Sequence, residues 1–319
     1  MNNRIMYYPL TATPFKRNSF YTELFPCKEL QSYIRCYWGT ENPLIQIEND
    51  DTPELVIPDT CVDIIYHIDY TNHTVTGGFC GVNDCSFHTH SSGTMGHMVS
   101  TFAIRFYAWS AYAFADDSLQ STMNGYFDVG SRFEWLDKII RPKLLKLRTL
   151  QEKASFTEQV LLKKLPNVRE NAVINDTIQN ILIQKGSLDI AKLAKESFVS
   201  TRQLERLFHE YVGITPKKLS NLIRYQFLWR DILCEPDFDV LSMVHKFGYT
   251  DQSHLLREFK RYHSMDIHKA RITAFKDVGN IQDVLIKFYI RFLIIRMNTI
   301  LSNILKYRKT LILPRIYHD

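Results

Sequence analysis

Residues 190–224 read IAKLAKESFVSTRQLERLFHEYVGITPKKLSNLIR, and residues 240–271 read VLSMVHKFGYTDQSHLLREFKRYHSMDIHKAR. The two stretches are copies of one unit. Leu204-Glu205-Arg206-Leu207-Phe208 returns as Leu255-Leu256-Arg257-Glu258-Phe259 at an offset of 51, and Tyr211 returns as Tyr262 at the same offset. Upstream, Ala194 and Ser200 correspond to Val244 and Thr250 at an offset of 50, so the second turn is one residue longer.

Each copy has the parts of a helix-turn-helix. In the first, residues 188–196 lead, and Ser200 caps a helix over 201–211 that Gly213 ends. In the second, residues 239–246 lead, Phe247-Gly248-Tyr249 turns, and Thr250 or Asp251 caps a helix running to Tyr262. Gly248 is the residue type that a positive φ demands. Between the copies, Thr215-Pro216 gives an N-cap and a first-turn proline, and the spacing predicts one helix over 216–234. Its length, about 28 Å at 1.5 Å per residue, approaches the roughly 34 Å between successive major grooves.

Helical periodicity divides each second helix into two faces. Leu204, Leu207, Phe208 and Tyr211 share the packing face of the first, and Arg202, Glu205, Arg206 and His209 the free one. In the second, Leu255, Phe259 and Tyr262 pack, which leaves Gln252, Ser253, Leu256, Arg257 and Lys260 free. Those types suit a major groove: arginine bonds guanine through two contacts, glutamine bonds adenine, glutamate accepts from cytosine, and leucine meets a thymine methyl. A charged face on a single helix is ordinarily just solvated. Two in tandem weaken that explanation.

Both stretches, and FGYTDQSHLLREFKR at 247–261 above all, resemble the DNA-binding domain of the AraC/XylS family of bacterial transcription regulators. The resemblance spans about 170–272, roughly a third of the chain. It implies promoter binding through both units joined by a linker helix, and regulation that responds to a signal received by a separate domain. By position in the motif, it places base reading on Arg202, Glu205, Arg206, Gln252, Ser253, Leu256 and Arg257. Four positions depart from the pattern. Phe198 stands where the first turn usually has glycine, so that turn must take other dihedrals or carry strain. Val244 replaces a small alanine, and Ser264 and Ile267 replace glycine and proline, which predicts a less sharp end to the second unit.

Charge supports a polyanionic partner. Residues 1–130 hold 6 Lys and Arg against 14 Asp and Glu, net −8, whereas residues 131–319 hold 33 against 20, net +13. With 319 residues, 45% hydrophobic and 23% charged, the chain excludes wholesale disorder and collagen-like or coiled-coil-only structure. Six cysteines without a secretory leader suit a reduced cytoplasm. The apolar run at 284–295 is broken by Lys287 and Arg291 and is too short to span a bilayer, so no membrane role is expected.

The first hundred residues read as strands. Residues 54–58 and 62–69 are rich in Val, Ile and Tyr around a turn at Pro58-Asp59-Thr60, and Met98–Tyr107 alternates, with Phe102, Ile104 and Phe106 on one side. YIRCYWGTENP (33–43), ELVIPDTCVDIIYHID (54–69) and TFAIRFYAWSAYAF (101–114) resemble an uncharacterised domain found at the N-terminus of some members of that family, which implies a signal-receiving or partner-binding role. Two site readings compete there. His88, His90 and His97 with Cys80, Cys85, Cys61 and His67 could ligate zinc or copper, although their spacing fits no strong motif, and loop histidines and buried cysteines are the default. Arg105 could bind an anion, but a surface salt bridge is the commoner role. Trp38, Trp109, Tyr66 and Tyr107 could line an apolar pocket, but such aromatics are usually core.

The expectation is therefore an α+β chain: a β-rich domain over 1–130 followed by an all-α tandem helix-turn-helix. Residues 131–169, with Leu136, Ile139, Ile140, Leu144 and Leu147 around Pro142, form a helical connector or a dimerisation element, 170–275 the DNA-binding domain, and 276–319 an apolar, basic tail. The partners are double-stranded promoter DNA and, more distantly, RNA polymerase, an unidentified small-molecule effector and a second copy of the chain. No cofactor, resident metal or catalytic role is expected. The rival readings are a metal-dependent β-barrel enzyme or a metal or thiol sensor using the N-terminal His and Cys residues, a DNA-repair protein with a cysteine acceptor, and an interaction module that ignores DNA. Phosphate-loop, HExxH, CxxC and Cys-Pro-Cys patterns do not occur.

Overall fold

Alternation of apolar and polar side chains builds the first half around one antiparallel sheet. The computed structural model describes residues 7–12, 21–47, 53–89, 94–235 and 237–275. Strands β1 (Thr22–Leu24), β2 (Ile34–Gly39), β3 (Leu44–Ile45), β4 (Glu54–Val56), β5 (Cys61–Asp69), β6 (Thr74–Cys80), β7 (Phe87–Thr89), β8 (Met98–Tyr107) and β9 (Tyr126–Asp128) appear in that order. The main sheet runs β1-β2-β8-β5-β6-β9, with β3 beside β8, while β4 and β7 form a separate ladder. Among the described residues the path from β1 to β9 is open, so the expected β-rich domain is one open main sheet with a small two-stranded ladder beside it.

In β5, Val62, Ile64, Tyr66 and Ile68 are buried and alternate with less buried neighbours, as a pleat requires. That face is roofed by α1 (Gly130–Leu144) and α2 (Leu150–Lys164). Phe133 of α1 stacks on Phe106 at 6.1 Å, and Tyr66 donates to Asp137 at 3.0 Å. The apolar faces of this helical stretch are thus core of the β-rich half. Ile139 is the exception, being 43% exposed. The helix runs through Pro142, and its non-helical residue is Phe133, where the ring turns down onto the sheet. The opposite face of the sheet carries a buried ion cluster. Arg105 meets Asp63 through Nε at 2.9 Å and Nη2 at 3.1 Å, and Asp59 lies 3.4 Å away. The expected surface salt bridge of Arg105 is therefore a buried one, beneath Trp38 and Tyr21.

The second half is helical: α3 (Ala172–Ile183), α4 (Ile190–Glu196), α5 (Thr201–Val212), α6 (Pro216–Cys234), α7 (Val240–Phe247), α8 (Gln252–His263) and α9 (Ile267–Phe275). Helix α6 is buried on nearly every side, from Leu219 to Leu233. Neighbouring helices cover part of it, and residues 7–12 of the N-terminal arm cover another part. Leu10 N–H donates to Gln226 Oε1 at 2.7 Å, and Gln226 Nε2 donates to the carbonyls of Leu10 at 3.1 Å and Pro58 at 2.7 Å. Trp229 Nε1 donates to the Thr11 carbonyl at 3.3 Å. The residues from Met1 to Ala274 form one unit. His90 and the tail at 276–319 lie outside the described residues. No helix among the described residues is long and apolar enough to cross a membrane.

Candidate nucleic-acid interface

Local chemistry sets the ends of every helix in the two repeated units. Asp189 caps α4, and the Ser200 side chain accepts from the Gln203 N–H at 3.2 Å to start α5. Gly213 ends α5 in the left-handed region, at φ +84°. Thr215 caps α6 by accepting from Lys218 N–H at 3.2 Å, with Pro216 in the first turn. In the second unit Asp239 caps α7, Gly248 turns at φ +64°, and Asp251 rather than Thr250 caps α8, accepting from His254 N–H at 2.7 Å. A carboxylate there also complements the positive end of the helix dipole.

Two of the anticipated irregularities have definite outcomes. Phe198 keeps the backbone that glycine would have, at φ +56°, so the turn carries the strain instead of changing shape. Ser264 takes the left-handed position at φ +59°, and its N–H donates to the Lys260 carbonyl at 2.9 Å. The second recognition helix therefore ends as sharply as a glycine would end it, and the expected looseness is absent.

On α5, Leu204, Phe208 and Val212 are buried, and Arg202, Glu205 and Arg206 are exposed. Leu207, His209 and Tyr211 are half-buried; Tyr211 packs on Tyr112 of the first half, with ring centroids 4.0 Å apart. On α8, Leu255, Phe259 and Tyr262 are buried, while Gln252, Ser253, Leu256 and Arg257 are exposed. All seven residues singled out from the motif thus lie on the surface, and Leu256, an apolar side chain, is 42% exposed. Among the described residues no carboxylate pairs with Arg202, Arg206 or Arg257; Arg257 Nε donates only to the Ser253 carbonyl at 3.2 Å. Unpaired guanidinium forks in solvent are equipped to meet a new acceptor.

Sequence reasoning passed over the residues that hold these helices in place. Arg224 of α6 donates through Nη2 to both oxygens of Glu258 at 2.8 Å, and Tyr249 O–H donates to the same carboxylate at 2.7 Å. The guanidinium carbon of Arg224 lies 4.1 Å from the centre of the Tyr249 ring. Deeper in, the Tyr225 hydroxyl and His263 Nδ1 are 2.8 Å apart, and burial holds the His263 imidazole down to about 3, so it is neutral. Because Glu258 corresponds to Leu207 in the first copy, comparing the repeats could have exposed this lock.

The two halves also meet across opposite charges. Asp84 of the first half takes Lys218 Nζ at 2.8 Å and Arg261 at 3.5 Å. Burial opposes its charge, yet Lys218, Asn124 and Arg261 together hold its carboxyl below the usual range. Ser86 and Ser264 touch through their hydroxyls.

Among the described residues the histidines and cysteines of the first half do not gather. His97 is engaged by Asp69 at 2.7 Å, and Cys61 is buried against the Asp59 carbonyl. Burial pushes the Cys80 thiol up to about 11. His88 sits in the small ladder opposite Leu55, and Cys85 lies near Asn124. Among the described residues no group of three His, Cys, Asp or Glu could hold a metal ion.

The sequence profile of a helix-turn-helix domain matches residues 193–271, across both units. Residues 193–271 therefore form a helix-turn-helix domain. A helix-turn-helix is a DNA-binding module that lays its second helix in the major groove. Residues 22–128 match a domain of unknown function (DUF6597). No curated protein matches the chain. Among solved structures it is similar to a transcriptional regulator with an AraC-type DNA-binding domain from Chromobacterium violaceum (19% identity, 34% of this chain and 95% of that one, TM-score 0.30). It is also similar to the C-terminal domain of AraT, a response regulator from Geobacillus stearothermophilus (20%, 33% and 88%, 0.31). A third is ToxT from Vibrio cholerae strain SCE256, there bound to an unsaturated fatty acid (9%, 81% and 97%, 0.34).

Proposed function

We propose that this chain is a cytoplasmic transcription regulator of the AraC type that reads promoter DNA by placing α5 and α8 in two successive major grooves on one side of the duplex. The observation that carries the reading is the pair of exposed helix faces joined by a buried 19-residue helix. A rigid span of about 28 Å suits two adjacent grooves. Arg202, Arg206 and Arg257 bond guanine, Gln252 bonds adenine, Glu205 accepts from cytosine, Leu256 meets a thymine methyl, and Ser253 bonds either a donor or an acceptor. The β-rich half receives the signal, a small-molecule effector or a second copy of the chain, and the DNA-bound form meets RNA polymerase.

Binding of the full chain to selected and random duplexes at several salt concentrations tests this. Affinity should fall steeply with salt on both, as phosphate contacts release counterions, and exceed background only on the selected sequence. Arg206→Ala or Arg257→Ala should each cost about 1–3 kcal/mol at one base pair with the fold unchanged. Equal binding of variant and parent overturns those assignments, and salt-independent binding overturns the reading as a whole.

A further inference from the structure

The two turns that precede the recognition helices share one backbone. Val199 N–H donates to the Ala194 carbonyl at 3.1 Å, and fifty residues on, Tyr249 N–H donates to Val244 at 3.0 Å. The left-handed residue is Phe198 in the first turn and Gly248 in the second, at φ +56° and +64°. Surroundings differ more than geometry. A Cβ on Gly248 would lie 2.7 Å from Ser187 Oγ and would have to turn that hydroxyl aside, whereas Phe198 is 96% exposed.

A phenylalanine here is unfavourable twice over in the free protein. It holds an L-residue in a region where glycine costs nothing, and it leaves a whole aromatic ring in water. Neither penalty is recovered within the described residues, which points to a contact made only in a complex. Its place says with what. Recognition helices enter the groove by their N-terminal ends, and Phe198 sits two residues before the N-cap Ser200 and four before Arg202. An aromatic ring has no hydrogen bond to offer, and the apolar group that a major groove displays is the thymine C5-methyl.

We propose that Phe198 is a further specificity-determining residue, whose ring packs on a thymine methyl at the edge of the site read by α5. This rests on the DNA-reading assignment of α5. Phe198 and Leu256 then act alike, one in each unit.

The test uses the full chain as parent, Phe198→Gly and Phe198→Ala, on a duplex that the parent selects from a random pool, with each thymine in turn replaced by uracil. Phe198→Gly removes strain and exposed ring together, so its Tm should rise by about 2–4 °C while its affinity falls about five- to tenfold. Phe198→Ala keeps the left-handed strain, so it should lose the same affinity with a smaller gain in Tm. The parent should lose a similar factor at one uracil position, and neither variant should lose anything there. A parent that selects no duplex removes the DNA reading itself. A parent that binds while Phe198→Gly binds equally well overturns the Phe198 assignment alone. Unchanged DNA affinity with weaker promoter activation also overturns it, in favour of a protein contact.

Discussion

Consider Glu258→Gln, which discharges one side of the lock between α6 and α8. Arg224 and Glu258 have side chains only 10% and 11% exposed, and the carboxylate takes two 2.8 Å contacts from Arg224 Nη2 and one of 2.7 Å from Tyr249. Removing one partner of a buried pair costs about 3–5 kcal/mol, because the other charge stays desolvated. With about a tenth of each group still wet, the lower end applies, about 3 kcal/mol, or a fall in Tm of about 6–12 °C for a chain of this size. The pair itself is not a strong net stabiliser, since Arg224 Nε finds no acceptor among the described residues. Replacing both partners by apolar side chains, Arg224→Met with Glu258→Leu, should therefore recover most of the loss. Urea and thermal unfolding of the full chain measure Glu258→Gln, the double variant and its two singles, and the double-mutant cycle isolates the coupling. A cost below about 1 kcal/mol for Glu258→Gln, or a double variant as unstable as the sum of its singles, refutes the reasoning. On the proposed DNA reading, loss of DNA contact in Glu258→Gln should be confined to the half of the site assigned to Gln252, Ser253, Leu256 and Arg257, because α5 does not use this lock.

Two further outcomes follow from buried groups. Lys153 Nζ is buried between Ser100 Oγ at 3.0 Å and the Arg148 carbonyl at 2.8 Å, and burial holds its ammonium down to about 8 from 10.5. Between those pH values the unfolded chain keeps a proton that the native chain has released, so stability should rise as pH increases through the window, and Lys153→Met should flatten that slope in urea titrations; an unchanged slope assigns it elsewhere. At Gly213, a Cβ would sit 2.8 Å from the Leu119 carbonyl oxygen on a backbone at φ +84°. Gly213→Ala should then destabilise by more than the roughly 1–2 kcal/mol that a left-handed alanine costs by itself, and a loss within that range would show that the two halves give way at this contact.

The helix-turn-helix units were legible because their determinants are local and occur twice. Caps at Ser200 and Asp251, a stop at Gly213, a turn at Gly248 and the proline start of α6 are each decided by residues within a few positions. The span of α6 could be read to the residue, as could that of β8, where Phe102, Ile104 and Phe106 alternate with Thr101, Ala103, Arg105 and Tyr107. What escaped was decided at long range. Nothing near Arg105 announces that Trp38 and Tyr21 will cover it, and nothing near Pro142 says that the helix will bend at Phe133 instead. The same holds for Arg224 and Glu258, which are 34 residues apart. At Phe198 the local rule was visible but its resolution was not: the turn could change shape or carry strain, and only the hydrogen bond from Val199 to Ala194 shows which.

The charge asymmetry that points outward, to a polyanion, also operates inside the molecule. Asp84 engages Lys218 in the first turn of α6 and Arg261 near the end of α8, so the acidic half grips the basic half at the two helices that set the second unit's position. The first unit is held differently. The Glu210 carbonyl, left without an intrahelical partner in the last turn of α5, accepts from Leu119 N–H at 2.9 Å and from Ser118 Oγ at 3.4 Å, and Tyr112 packs at a tilt against Tyr211 one residue on. Residues 118–119 thus complete the end of the first recognition helix. A displacement of that segment breaks a hydrogen bond of α5 itself, and so the β-rich half is mechanically connected to the helix that carries Arg202, Glu205 and Arg206 without any intervening linker.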